Sequence, residues 1–181
     1  NFGDLTAGLL AQAMGLPVKR FIAATNSNDT VPRYLQSGLW QPAKTVATMS
    51  NAMDVAEPNN WPRIEAICQL KGYSLSAIQG IAISEADTAV SLRHLQQLGY
   101  LSDPHAAVAA AALKDSLRPG EHGIFLGTAH PAKFKAKVDE ILQTSIPLPH
   151  ALQQASEKSL LSEHINPDFT VLKNLLCQHR S

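Results

Sequence analysis

The chain has 181 residues, a formal net charge of zero and 17% charged residues, and its basic side chains are scattered rather than gathered in a stripe. That excludes the electrostatic footprint of a nucleic-acid binder or of a protein held on an anionic membrane, and the apolar runs fall far short of the roughly 20 residues of a membrane span. The length suits one domain, or one with a small appendage, and Cys68 and Cys177 stand far apart with no CxxC pair and no metal-ligand spacing, the pattern of buried free thiols in a reducing cytoplasm.

Asn1-Phe2-Gly3-Asp4 is a helix start. A small polar residue and a glycine there leave backbone N–H groups free, and the helix dipole adds positive potential, so the turn suits an anion. The loop that would lead into it is expected upstream of Asn1, and the sequence reads as the second part of a larger protein. Residues 4–14 form the helix, closed by Gly15 as its C′ residue with Pro17 just beyond. Val18 to Ala24 then reads as a buried strand that stops at Thr25-Asn26-Ser27-Asn28-Asp29, half of a βαβ crossover. Asp29 caps a short helix from Thr30 to about Gln36, ended by Gly38. Residues 39–62 are irregular, punctuated by Pro42, Pro58, Pro62 and the Asn59-Asn60 pair, and Pro62 suits the first turn of a helix reaching about Leu70.

Ser84-Glu85-Ala86-Asp87 resembles a capping signal. The helix it begins carries Ala86, Val90, Leu92, Leu95 and Leu98 near one face and ends at Gly99. Asp103-Pro104 starts an Ala-rich helix, His105 to Leu117, that must pack closely on a neighbour. After the Pro119-Gly120 turn, Gly123 to Gly127 reads as a short apolar strand. Thr128-Ala129-His130-Pro131 links it to a helix from Ala132 to about Leu142. A weak helix near 150–157 and a final one from Pro167 to Gln178 make up the tail. Helices separating apolar strands predict an α/β fold, a mainly parallel sheet with flanking helices and a helical C-terminal tail, divided into residues 1–142 and 143–181.

Open α/β sheets bind ligands at the C-terminal ends of their strands. Two junctions there carry polar residues, Thr25 to Asp29 and Gly127 to Phe134, and the helix start at Asn1 to Asp4 would open on the same edge. Each has a plainer reading as well: Asn26 to Asp29 as a turn and helix cap, Thr128 as an N-cap, His130 as a polar residue satisfied within its loop. Lys133 lies beside Lys135 and Lys137, where a solvated basic face is the simpler reading than a nucleophile. His105, His122 and His130 lack the spacing of metal ligands, so no metal is expected, and there is neither a G-x-S-x-G elbow nor a complete phosphate-binding loop.

Asn1 to Gly8, Arg20 to Arg33 and Gly127 to Phe134 resemble the corresponding blocks of threonine synthase in its long bacterial and fungal form. Ser50-Asn51-Ala52-Met53-Asp54-Val55, Pro58 to Arg63 and Pro104 to Ala109 are similar to that family too, and the blocks follow in family order to about residue 142. The resemblance implies the fold shared with the tryptophan synthase β chain, with pyridoxal 5′-phosphate (PLP) as cofactor and conversion of O-phospho-L-homoserine and water to L-threonine and phosphate. It implies that Asn1, Phe2, Gly3 and Asp4 belong to the cradle of the cofactor phosphate and that Thr128 places a hydroxyl against the pyridine nitrogen. By the same analogy Asn28, Asp29, Arg33, His130 and Lys133 line the substrate edge.

It also implies that the Schiff-base lysine lies before Asn1, so the catalytic amine is absent here and this segment alone makes no threonine. The N-terminal half of the same enzyme is then the expected partner, and without it exposed strand edges would favour self-association or poor solubility. Two alternatives stay open: another PLP lyase of the same fold, such as a threonine dehydratase or cysteine synthase, or a non-catalytic relative that binds phosphate-bearing ligands. Blocks 130–134 and 53–63 argue against the first.

Overall fold

The computed structural model describes residues 2–178 and divides into two compact units, Asn1–Pro147 and Leu148–Ser181. At the centre of the first, strand β1 (Phe21–Thr25) pairs in parallel with β2 (Ile78–Ala82), in register from Phe21 opposite Ile78 to Thr25 opposite Ala82. These are the two strands of the sheet among the described residues. β1 starts three residues later than expected. The carbonyl of Val18 accepts from Gln12 (2.8 Å), and Lys19 and Arg20 reach out to Glu121 (2.8 and 2.6 Å), so this stretch spends its polar groups outside a ladder. β2 was not expected from the sequence, because Gln79 and Gly80 interrupt its short apolar run. Gly80 is nonetheless required: a Cβ there would lie 2.7 Å from the Pro32 Cα.

Helix α1 (Gly3–Ala13) precedes β1 and ends as expected, with Gly15 at φ +108°. After β1 come α2 (Thr30–Ser37), closed by Gly38 in the left-handed region, and α3 (Trp61–Lys71), with Pro62 in its first turn. The period-2 alternation of the strands sorts the core. Ala23 and Ile78 face Leu5, Leu9, Val31, Trp61, Ile64 and Cys68, whereas Ile22, Ala24, Ile81 and Ile83 meet Val108 and Ala112. The second set of partners lies on α5 (Pro104–Ser116), which follows α4 (Glu85–Gln97).

Helix α4 carries the expected cap, with the Ser84 hydroxyl accepting from the Asp87 N–H at 3.1 Å. Its buried stripe is instead Thr88, Leu92 and Leu95, while Ala86, Val90 and Leu98 are exposed. Positions i, i+4 and i+7 share one face, and Thr88 fits there because its hydroxyl donates to the Ser84 carbonyl (2.8 Å).

Gly123 to Gly127 is not a strand. Gly123 packs beside Leu113 and Gly127 beside Ala106 of α5, while Val108 and Ala112 of the same helix meet the strands, and the segment joins no ladder among the described residues. The segment still runs in the strand direction, from Glu121 near Arg20 toward the start of α5. The helix expected from Ala132 begins as a 3-10 turn, Pro131–Phe134, and becomes α6 at Lys135–Leu142. In the second unit, α7 (His150–Ser156) and α8 (Phe169–Gln178) form, and Asp168 caps α8 through the N–H groups of Thr170 and Val171 (2.8 and 3.0 Å). Cys68 is buried, but Cys177 on α8 is exposed, against the expectation for both thiols. No described helix is long and apolar enough to cross a membrane.

Candidate functional site

The three junctions meet at the C-terminal edge of the strands. Phe2, at the start of α1, lines one small cavity with Thr25, Asn26 and Asn28 at the end of β1. The third junction arrives by way of α5. Arg20, just before β1, donates to the Ser116 carbonyl at the far end of that helix, while Val108 near its start packs on Ile83 beyond β2. α5 is therefore antiparallel to the strands and points its N-terminus to their C-terminal edge. There the His105 ring packs on Phe134, centroids 4.7 Å apart, which brings the 127–134 junction to the same end.

At the helix start, Phe2 has no capping side chain, and its own N–H reaches Asn60 Oδ1 at 3.4 Å. The first backbone bond of α1 runs from the Thr6 N–H to the Phe2 carbonyl (3.0 Å), so the N–H groups of Gly3, Asp4 and Leu5 have no acceptor among the described residues. Gly3 and Asp4 are exposed and Leu5 is buried, and nothing lies within 4 Å of where a Gly3 Cβ would stand. Asn1 lies outside the described residues.

The β1 junction is a built polar knot. Asn26 Nδ2 donates to Thr48 Oγ1, Ser50 Oγ and Asp54 Oδ1 (2.9, 2.9 and 3.0 Å), and Asn26 Oδ1 accepts from the Asn28 N–H at 3.0 Å. Asn28 is engaged at both ends of its amide, donating to the Val46 carbonyl and accepting from its N–H (both 2.9 Å). Asp54 accepts from the Thr48 hydroxyl and N–H (2.6 and 2.9 Å). The knot pins the 46–54 loop over the strand end, which supports the structural reading of Asn26 and Asn28. Asp29 holds Arg33 instead of capping α2, Oδ1 to Nε at 2.8 Å, and Arg33 also donates to the Gln41 carbonyl at 2.9 Å.

At the third junction the cap is His130, whose Nδ1 accepts from the Ala132 N–H at 3.1 Å. Thr128 is exposed and its hydroxyl makes no hydrogen bond, so it is not the N-cap. The Lys133 ammonium sits 5.7 Å from the Phe134 ring centroid and faces no carboxylate partner. Its neighbour Lys135 is committed to Asp139, Ser145 and the Ile146 carbonyl (2.7, 2.9 and 2.7 Å).

Three buried polar atoms of the described residues lack any partner: Thr25 Oγ1, Glu85 Oε1 and His105 Nε2. Thr25 ends β1, Glu85 follows β2 and His105 begins α5, so all three fall at the ligand edge. Each costs about 1–3 kcal/mol unless something supplies a partner. In the sequence Glu85 and His105 read as parts of helix starts, and the spacing of His105 excludes it as a metal ligand. His105 is in fact held by Asp103, ring Nδ1 to Oδ1 at 2.8 Å. Among the described residues no group of three or more His, Cys, Asp or Glu side chains comes together to hold a metal.

A parallel strand pair with donors and unsatisfied groups gathered at its C-terminal edge has the layout at which open α/β sheets place ligands. The comparisons carry this further. The family model described as "Threonine synthase, C-terminal" matches residues 106–176. The threonine synthase of Serratia marcescens is 57% identical over 176 residues, covering 97% of this chain and 41% of that protein. The crystal structure of threonine synthase from Escherichia coli superposes with a TM-score of 0.91 at 54% identity, over 99% of this chain and 42% of that one. The structure titled PLP bound threonine synthase, from Brucella melitensis, gives a TM-score of 0.86 at 25% identity, over 100% of this chain and 45% of that one. Along almost its whole length the chain matches the C-terminal segment of threonine synthases. It spans about 42% of the length of the curated relatives it matches.

Proposed function

We propose that this chain is the C-terminal part of a cytoplasmic enzyme that converts O-phospho-L-homoserine and water into L-threonine and phosphate, with PLP as cofactor. One observation carries the reading: the N–H groups of Gly3, Asp4 and Leu5, at the positive end of α1, have no acceptor among the described residues, which fits a phosphate monoester. The unbonded hydroxyl of Thr128 supports a second contact, to the pyridine nitrogen. When bound, the cofactor supplies the electron sink that makes protons on the substrate carbons removable and the γ-phosphate a leaving group.

This chain's share is to bind and orient. α1 holds the cofactor phosphate through its N–H groups. Thr128 keeps the ring nitrogen less readily protonated than a carboxylate would. Asn26 and Asn28 fix the 46–54 loop that borders the site. For the substrate phosphate, Lys133 is the better of the two cations, because Arg33 is already taken by Asp29 and Gln41 whereas Lys133 has no carboxylate partner. Residues 1–142 then belong to the cofactor domain and 143–181 to its helical tail. The rest of the enzyme supplies the lysine that joins the cofactor covalently and is this segment's partner.

The test assays the full-length protein with O-phosphohomoserine, serine and threonine. Threonine and phosphate released in equal amounts from the first supports the proposal, and turnover of serine or threonine alone overturns it. Lys133→Ala should raise the KM for O-phosphohomoserine by about tenfold or more, the usual worth of a hydrogen bond to a charged group. An unchanged KM removes Lys133 from the site.

A further inference from the structure

A cleft of about 480 Å3 opens between α2 and the start of α3, lined by Tyr34, Trp40, Glu57, Trp61 and Glu65 among others. Trp40 and Trp61, both tryptophans of the chain, stack with centroids 6.5 Å apart and planes at 21°. Tyr34 meets them edge-on at 5.3 and 6.1 Å. Glu65 also lines the cleft, its Oε1 accepting from the Tyr34 hydroxyl (2.9 Å) and the Trp61 indole N–H (3.1 Å). Glu57 stands exposed at the rim, outside any hydrogen bond or ion pair. No lysine or arginine lines the cleft.

Aromatic faces carry negative potential, and here they stand beside two carboxylates with no cation to neutralise them. The arrangement selects a positive charge. A guanidinium satisfies it most fully, because its plane stacks on the half-buried Trp40 indole, Trp61 being buried beneath, while its N–H fork meets a carboxylate. The size lies within the roughly 300–1,000 Å3 of small-molecule sites. We propose that this cleft binds a small organic cation, a guanidinium or primary ammonium on a short alkyl chain. It is opposite in charge preference to the anion site at α1 and shares Pro58 and the Phe2–Trp61 ring contact at 5.3 Å with that side of the chain.

The experiment titrates the full-length protein with N-butylguanidinium and follows the indole N–H resonances of Trp40 and Trp61 by NMR, assigned with Trp40→Phe. A saturable shift of both signals is expected, absent with the neutral isostere N-butylurea. Glu57→Gln with Glu65→Gln should weaken binding roughly tenfold or more while the melting temperature holds, since the amide oxygen of the second replacement still accepts from Tyr34 and Trp61. Three results overturn the proposal: no shift at either indole, which is also the outcome if a side chain from the rest of the enzyme fills the cleft; equal response to the neutral isostere; or unweakened binding in the double variant.

Discussion

At the scale of single residues, the polar knot at the end of β1 is the most exposed to substitution. Asn26 is 1% exposed and serves Thr48, Ser50 and Asp54 at once. Asn26→Ala should destabilise the full-length protein by about 3 kcal/mol, because it strands buried acceptors. Asn26→Asp would set a carboxylate where an amide now donates to Asp54 at 3.0 Å, and two negative charges there repel. Chemical denaturation should show the aspartate variant recovering stability as the pH falls toward the carboxylate range, and the alanine variant not doing so.

Glu121 offers a second pH test. Hydrogen bonds from Lys19, the Arg118 N–H and Arg20 pull its carboxyl from 4.5 down to about 2. A group depressed in the folded state adds stability above its unfolded pKa and loses it as the pH falls toward the folded one. The Lys19–Arg20–Glu121 tie should therefore weaken between about pH 4.5 and 2. Thermal melts across that range should flatten in Glu121→Gln, and an unchanged slope would show that the tie carries none of the acid sensitivity. Cys68 shifts the other way: burial, then the charge of Glu65, raises its thiol pKa, so thiol reagents should label Cys177 first.

At the scale of elements, the close approach of α2 to β2 is set by one missing side chain. A Gly80 Cβ would fall 2.7 Å from the Pro32 Cα, a backbone atom that cannot swing aside. Gly80→Ala should cost about 1–3 kcal/mol by overpacking, read as a lower denaturant midpoint. The same glycine helps explain what the sequence conceals. Helices announced themselves through caps and terminators, as with Ser84 and Asp87, Asp103-Pro104 and Gly38, because these signals are local. β2 did not, since Gln79 and Gly80 break its apolar run and its place depends on Pro32, far away in the chain. The reverse happened at Gly123 to Gly127, where a strand-like run packs against α5 instead of joining the ladder.

The candidate site divides in the same way. The placing of Thr25 to Asp29 at a strand end was legible, because crossover topology dictates where such junctions gather, whereas Gly127 to Phe134 follows no described strand and reaches that edge beside α5. Which residues bind and which merely hold the backbone was not legible. Asn28 and Arg33 carry suitable chemistry, yet the fold has already engaged both. Glu85 and His105 looked like parts of helix starts, and only the packed structure leaves an atom of each buried without a partner.

At the scale of the whole molecule, the sheet has two strands among the described residues, and apolar side chains such as Met14, Leu70 and Ile124 are at least 80% exposed. Surfaces of that kind are covered when a larger protein assembles around them. The proposal accordingly assigns this segment the cofactor-phosphate and ring-nitrogen contacts and leaves the covalent lysine to the rest of the enzyme. Amide and methyl NMR of the full-length protein, with and without PLP, tests that division most directly. The largest shifts are expected at the N–H groups of Gly3, Asp4 and Leu5 and at the Thr128 methyl, with every lysine of this segment still open to reductive methylation. Undisturbed signals at α1 and Thr128, or cofactor linked by borohydride to a lysine within residues 1–181, would contradict that division.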